Sequence, residues 1–90
     1  MDQATFLEEL AREGFQPPVL VEREANGTLD SHAHPFEAKA LIIAGDLRIR
    51  TSTGERHYQV GDVFQLAAHE PHSEVFGVEG VRYLAGRRPA

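Results

Sequence analysis

The chain has 90 residues, no cysteine and a formal net charge of −5 at neutral pH. A length of this order makes one domain, and the lack of cysteine excludes disulfides and thiolate metal sites. The basic residues form no patch of the kind that nucleic acids bind, and no apolar run approaches the ~20 residues that cross a bilayer. The first residues also lack the positive and apolar segments of a secretory signal. We therefore predict a single cytoplasmic domain over residues 1–90, with neither nucleic-acid nor membrane partners.

The first predicted element is a helix over residues 2–13. Asp2 can cap its start, the apolar side chains between Phe6 and Ala11 follow helical spacing, and Gly14 is a natural stop. A helix this short is marginal in isolation. We therefore expect it to dock on the rest of the domain.

The sequence after Pro17 favours strands. Short strands are predicted at residues 19–24, 29–34, 40–44, 47–50, 56–60, 63–66, 72–76 and 81–85, with Gly-containing turns between many of them. Many short strands in one small chain favour a sandwich or a barrel, and closure of a barrel removes exposed sheet edges. We predict an all-β fold in which a closed β-barrel spans residues 17–86 and carries the short N-terminal helix.

The predicted strand at residues 40–44 is apolar on both faces, whereas a strand with one face in water should alternate. Either the N-terminal helix or a second subunit must cover its outer face. A domain of this size also gains stability from a metal or from self-association. We therefore predict a homodimer.

Three histidines are candidate metal ligands. His32 and His34 flank Ala33, and alternate side chains of a strand point to the same face about 6–7 Å apart. His72 starts a later strand directly after Pro71, which would place it at the mouth of the barrel. Spacing alone leaves two interpretations open, a metal site and ordinary surface histidines. His57 and His69 are interpreted as surface residues.

Two segments resemble the conserved motifs of the cupin family. Segment 27–45 has Gly, four residues and then H-x-H, one residue short of the five-residue spacer of the first cupin motif, and segment 61–72 has Gly followed by His at the spacing of the second. Together they cover most of the region from residue 27 to 76. The resemblance implies a jelly-roll β-barrel in which His32, His34 and His72 bind a divalent metal ion.

The fourth ligand departs from the cupin pattern. The glutamate of the first motif would fall at Ala38 or Lys39, neither of which suits the role. Glu74 follows His72 by two residues, so strand parity directs both to the same face; Glu37 could reach the ion only if the chain bulges before it. We favour Glu74, as ligand or as an acid–base group. We expect Lys39 to point outward into solvent.

Three imidazoles with one carboxylate suit zinc, iron, nickel, manganese or copper. An open site of this kind fits a small metalloenzyme, such as a dioxygenase, isomerase or lyase, that acts on a small polar substrate. Glu74 would be its acid or base, and its pocket is predicted from Phe36, Phe64, Phe76 and Tyr83. The alternative is a non-catalytic module that binds a small ligand or a metal and acts through a dimer.

Overall fold

In the computed structural model, which describes residues 1–90, one helix precedes the strands. Helix α1 spans Gln3–Arg12, and the carboxylate of its N-cap residue, Asp2, accepts a hydrogen bond of 2.8 Å from the backbone N–H of Thr5. That bond satisfies one of the free donors at the start of the helix. The predicted short N-terminal helix is therefore confirmed. At ten residues the helix is too short to cross a membrane.

Six antiparallel strands form the rest of the fold. Strands β3 and β6 are long. Each contributes one half of its length to one four-stranded layer and the other half to a second. One layer has the order β1–β6–β3–β5 and the other β2–β6–β3–β4. This arrangement fits a jelly-roll barrel and confirms the predicted all-β class. The strands are β1 Val19–Arg23, β2 Thr28–His32, β3 Phe36–Thr51, β4 Gly54–Tyr58, β5 Val63–Leu66 and β6 His72–Pro89.

The turns predicted at 45–46 and at 77–80 are wrong. β3 and β6 continue through these segments, and their pairing shifts register between Ile42 and Ala44 and again between Gly45 and Leu47. Gly45 and Gly80 have φ angles of +70° and +74°, which favour glycine. A Cβ atom at Gly45 would also lie 2.0 Å from the carbonyl oxygen of Gly80. These glycines therefore bend two continuous strands, and six strands replace the eight predicted.

Side chains from both layers meet in the interior of the barrel. The cluster has nine buried residues, which are Ala40, Ile42, Leu47, Ile49, Phe64, Leu66, Phe76, Val81 and Tyr83. They come from alternate positions of β3, β5 and β6, as the two-residue repeat of a strand requires. Strands β2 and β6, which carry His32 and His72, therefore lie against a packed core.

A second apolar cluster lies between the helix and the outer face of β3. Phe6 and Leu10 of α1 pack with Phe15 and Leu41, and Ile43 is packed against the cluster. Leu41 belongs to the strand whose two apolar faces required a cover. The helix covers this face, so a second subunit is not needed to explain it. The homodimer stays a prediction.

Lys39 lies beneath the helix, which corrects the expected solvated position. Only 8% of the residue is exposed, and its Nζ donates hydrogen bonds of 3.0 and 3.1 Å to the two carboxylate oxygens of Glu13. Glu9 lies at 3.9 Å. The expectation failed because Glu9 of α1 and Glu13, the residue after α1, compensate the positive charge of a lysine on the outer face of β3. Lys39 therefore links the helix to the barrel.

We expect Lys39→Met to lower the free energy of unfolding by about 1–3 kcal/mol. Methionine keeps the apolar stem but leaves the carboxylates of Glu9 and Glu13 without their cation. Urea denaturation measures the loss. Arg50→Met on the same strand is the control, because the side chain of Arg50 is 70% exposed and its ion pair with Glu55 should contribute only about 0–1 kcal/mol. Equal losses in the two variants would contradict the assigned role.

Candidate metal centre

The three predicted histidines converge at one end of the barrel. His32 ends β2, His72 begins β6, and these two residues are register partners across the antiparallel pair. His34 follows in the connection to β3, where its carbonyl oxygen accepts a hydrogen bond of 2.6 Å from the backbone N–H of His69. One potential ligand atom from each of the three imidazoles lies within 4.8 Å of the other two. A single metal ion could therefore contact all three.

Backbone carbonyls fix the orientation of two of these rings. Nδ1 of His32 lies 2.7 Å from the carbonyl oxygen of Asp30, and Nδ1 of His72 lies 3.0 Å from that of Glu70. A carbonyl oxygen can only accept, so each Nδ1 donates a proton, and in the neutral ring Nε2 keeps a lone pair. Metal-binding histidines are commonly held by such contacts. Both rings thus present Nε2 as a ligand.

Glu74 lies against the same two Nε2 atoms. Its Oε2 is 3.6 Å from Nε2 of His32 and 3.7 Å from Nε2 of His72. Its other oxygen, Oε1, is buried and has no hydrogen-bond partner. Burial raises the pKa of Glu74, and the charges of His72 and His32 oppose that rise. A buried polar atom without a partner calls for an explanation, and a proton or a cation beside the carboxylate would provide one.

His34 is held in the form that binds metals. Burial lowers its pKa, and the positive charges of His32, His72 and Arg87 add to this effect. The neutral imidazole is therefore favoured. Only the neutral ring offers a lone pair to an ion, so the donor set fits a divalent metal.

Glu37 is engaged elsewhere. Arg88 donates two hydrogen bonds to its Oε1, of 2.6 Å from Nη2 and 3.2 Å from Nε, and Gln65 donates to Oε2. These hydrogen bonds lower the pKa of Glu37. The histidine cluster does not include Glu37. Of the two predicted carboxylates, the fold brings only Glu74 to the histidines.

A cavity of about 100 Å³ adjoins the histidines and Glu74. Its apolar wall is formed by Val21, Phe36, Ala38, Phe64, Leu66, Tyr83 and Ala85. Three of the four residues predicted for the pocket, Phe36, Phe64 and Tyr83, line this cavity. Phe76 does not line the cavity. It belongs to the interior core. Phe76 lies on the same face of β6 as Glu74 but two residues farther along the strand.

Two functional candidates were missed in the sequence. Arg23 of β1 and Arg87 of β6 both line the cavity. Strand parity could have found them, because Arg87 lies four residues after Tyr83 and Arg23 lies two residues after Val21, so each shares a face with a cavity residue.

A larger cleft lies outside this centre. It has about 440 Å³ and runs along β4, lined among others by Thr53, Arg56 and Glu70. No group of three potential metal ligands lies in it. His57, which hydrogen-bonds through Nε2 to Asp46 at 2.6 Å, and His69 lie outside the metal cluster as well.

Solved structures resemble this chain closely in backbone. A W96Y variant of oxalate decarboxylase from Bacillus subtilis superposes with a TM-score of 0.71 at 21% identity over 80% of this chain. A cupin superfamily protein from Desulfitobacterium hafniense gives 0.70 at 17% identity over 79%, and the DMSP lyase DddQ from Ruegeria pomeroyi gives 0.71 at 23% over 77%. This chain has the cupin fold.

The cupin neighbours are longer proteins. The matched region covers 20% of the oxalate decarboxylase, 64% of the Desulfitobacterium protein and 36% of the lyase. No protein-family model and no curated protein sequence matches this chain. A metal centre in this chain is therefore inferred from the geometry of His32, His34, His72 and Glu74.

Proposed function

We propose that the chain binds one divalent transition-metal ion through His32, His34 and His72 and uses it on a small polar molecule. The observation that carries this proposal is the convergence of three imidazoles beside the buried, unpartnered Oε1 of Glu74. Three histidines leave coordination positions for water or substrate, which is typical of catalytic rather than structural sites. The bound ion would supply Lewis-acid chemistry.

The donor set suits zinc, iron, nickel, manganese or copper. A study of the Bacillus subtilis oxalate decarboxylase names Mn(II) centres in that protein, which supports including manganese among the candidates. Elemental analysis of the purified protein identifies the ion. A protein purified without chelators should carry close to one ion per chain.

Glu74 is the residue that we assign to proton transfer or to the fourth coordination position. Its Oε2 faces the histidines, and its Oε1 is free to hold a proton. Tyr83, also in the cavity, stays protonated at neutral pH because burial and the charge of Glu74 raise its pKa to about 12. The apolar wall limits the access of water. These features fit a lyase, an isomerase or a dioxygenase.

One observation favours the non-catalytic alternative. Glu74 is the only carboxylate that lines the cavity. The cavity therefore lacks a second carboxylate that could act as the acid when Glu74 acts as the base. A module that binds a ligand through the metal, and acts through a dimer, would need none. Turnover of a small polar substrate by the metal-loaded protein, lost on chelation, separates the enzyme from the module.

Glu74→Ala should weaken metal binding by about 10–100-fold if the carboxylate is a ligand or holds one in place. Glu37→Ala is the matched control and should leave the affinity unchanged, since Arg88 and Gln65 already bind that carboxylate. Calorimetric titration with Zn²⁺ or Mn²⁺ measures both. Unchanged affinity in both variants would show that water completes the site and would leave Glu74 only the acid–base role.

A further inference from the structure

Positively charged side chains outnumber negatively charged ones around the cavity. Two guanidinium groups, those of Arg23 and Arg87, line it against the single carboxylate of Glu74. Neither arginine has an ion-pair partner, whereas Arg82 and Arg88, on the same strand as Arg87, are paired with Glu22 and Glu37. A divalent ion would increase the positive charge further. The cavity is therefore electrostatically suited to an anion.

Aromatic contacts hold Arg87 close to the metal ligands. Its guanidinium carbon lies 4.7 Å from the ring centroid of Phe36. The Phe36 ring in turn stacks on His34, with centroids 4.9 Å apart and an angle of 14° between the planes. A cation over an aromatic face is attracted to it. Arg87 is thus fixed beside His34 while its N–H donors remain free for a ligand.

Arg23 lines the same cavity from strand β1. Strand β1 pairs with the second half of β6 in the register Arg23 to Val81 and Val21 to Tyr83. Val21 lines the cavity, and residues two apart share a face. The two arginines thus approach from different strands. Their planar donor groups match the two oxygens of a carboxylate.

The size and the wall of the cavity restrict the anion. A volume of about 100 Å³ lies below the roughly 300 Å³ at which ordinary ligand pockets begin. One wall is apolar, which suits a short carbon chain better than an inorganic ion. We infer that the cavity takes a small organic carboxylate, whose oxygens bind Arg87 and Arg23 while its carbon chain contacts the apolar wall. This inference deepens the proposed function and rests on it for the ion beside the carboxylate.

Binding of propionate and of its neutral analogue propionamide tests the inference. Calorimetry should detect propionate on the metal-loaded protein and little or no propionamide. Arg87→Gln and Arg23→Gln should each weaken propionate binding about tenfold or more, the loss expected when hydrogen bonds to a charged group are removed. Arg82→Gln is the matched control, because Arg82 lies on β6 but pairs with Glu22 outside the cavity. Metal affinity, measured separately, should be unchanged in all three variants.

The outcomes separate this inference from the proposed function. Equal binding of propionate and propionamide, or equal losses in the Arg82 and Arg87 variants, would overturn the carboxylate site and leave the metal site standing. Tighter binding of inorganic phosphate than of propionate would overturn the organic ligand. Arginine-dependent propionate binding by a protein that takes up no metal would support the carboxylate site while refuting the proposed function.

Discussion

His72→Ala is expected to weaken the binding of Zn²⁺ or Mn²⁺ by more than about 100-fold, because three histidine ligands become two. Removal of a residue that only orients a ligand typically weakens metal binding by about 10–100-fold, and loss of a ligand should exceed that. His72 is the most buried of the three histidines, with 3% of the residue exposed. Its Nε2 lies beside Glu74, and its Nδ1 is fixed by the carbonyl of Glu70. His57 and His69 lie outside the cluster.

Thermal unfolding provides a second measurement of the same change. A ligand present at 100 times its dissociation constant stabilises the folded state by about 2.7 kcal/mol. In a domain of this size that corresponds to a rise in Tm of about 10–20 °C. The wild-type protein should show this rise with saturating metal, and His72→Ala should not.

His57→Ala controls for the loss of any one histidine. His57 hydrogen-bonds to Asp46 and lies outside the cluster, so its replacement should leave both the affinity and the metal-induced rise in Tm intact. Retention of both properties in His72→Ala would refute the three-histidine site. Their loss in His57→Ala alone would place the metal elsewhere.

The candidate ligands could be predicted from the sequence only in part by local geometry. Glu74 follows His72 by strand alternation, whereas His34 lies just beyond the end of β2, so alternation does not account for its position. Their convergence needed the register between β2 and β6, in which His32 lies opposite His72. No local pattern gives that register. The resemblance to the two cupin motifs supplied it.

The long strands and the buried lysine could not be predicted in the same way. Glycine at positions 45 and 80 is typical of a turn, and only the opposed strand shows that both residues permit a bend within continuous pairing. Lys39 looked solvated because its partners, Glu9 and Glu13, are distant in sequence. Arg23 and Arg87 were missed because their shared cavity is formed by two strands that pair only in the folded chain.

Phe6→Ala is expected to lower the free energy of unfolding by about 3–5 kcal/mol, as for other aromatic-to-alanine changes in a core. Phe6 is fully buried, with 0% of the residue exposed. It packs with Leu10, Phe15 and Leu41 between the helix and the outer face of β3. A small domain has a total stability of only about 5–15 kcal/mol, so this one change should remove a large part of it. Urea denaturation measures the loss.

Leu7→Ala is the matched control, because Leu7 lies on the same helix and is 42% exposed. It should cost about 1 kcal/mol or less, since alanine favours the helix and little packing is removed. Urea denaturation of Phe6→Ala at several protein concentrations adds a test of what covers β3. If a second subunit rather than the helix covered this face, the loss of stability would depend on protein concentration. If the helix covers it, as the contacts of Phe6 with Leu41 indicate, the loss should be the same at every concentration.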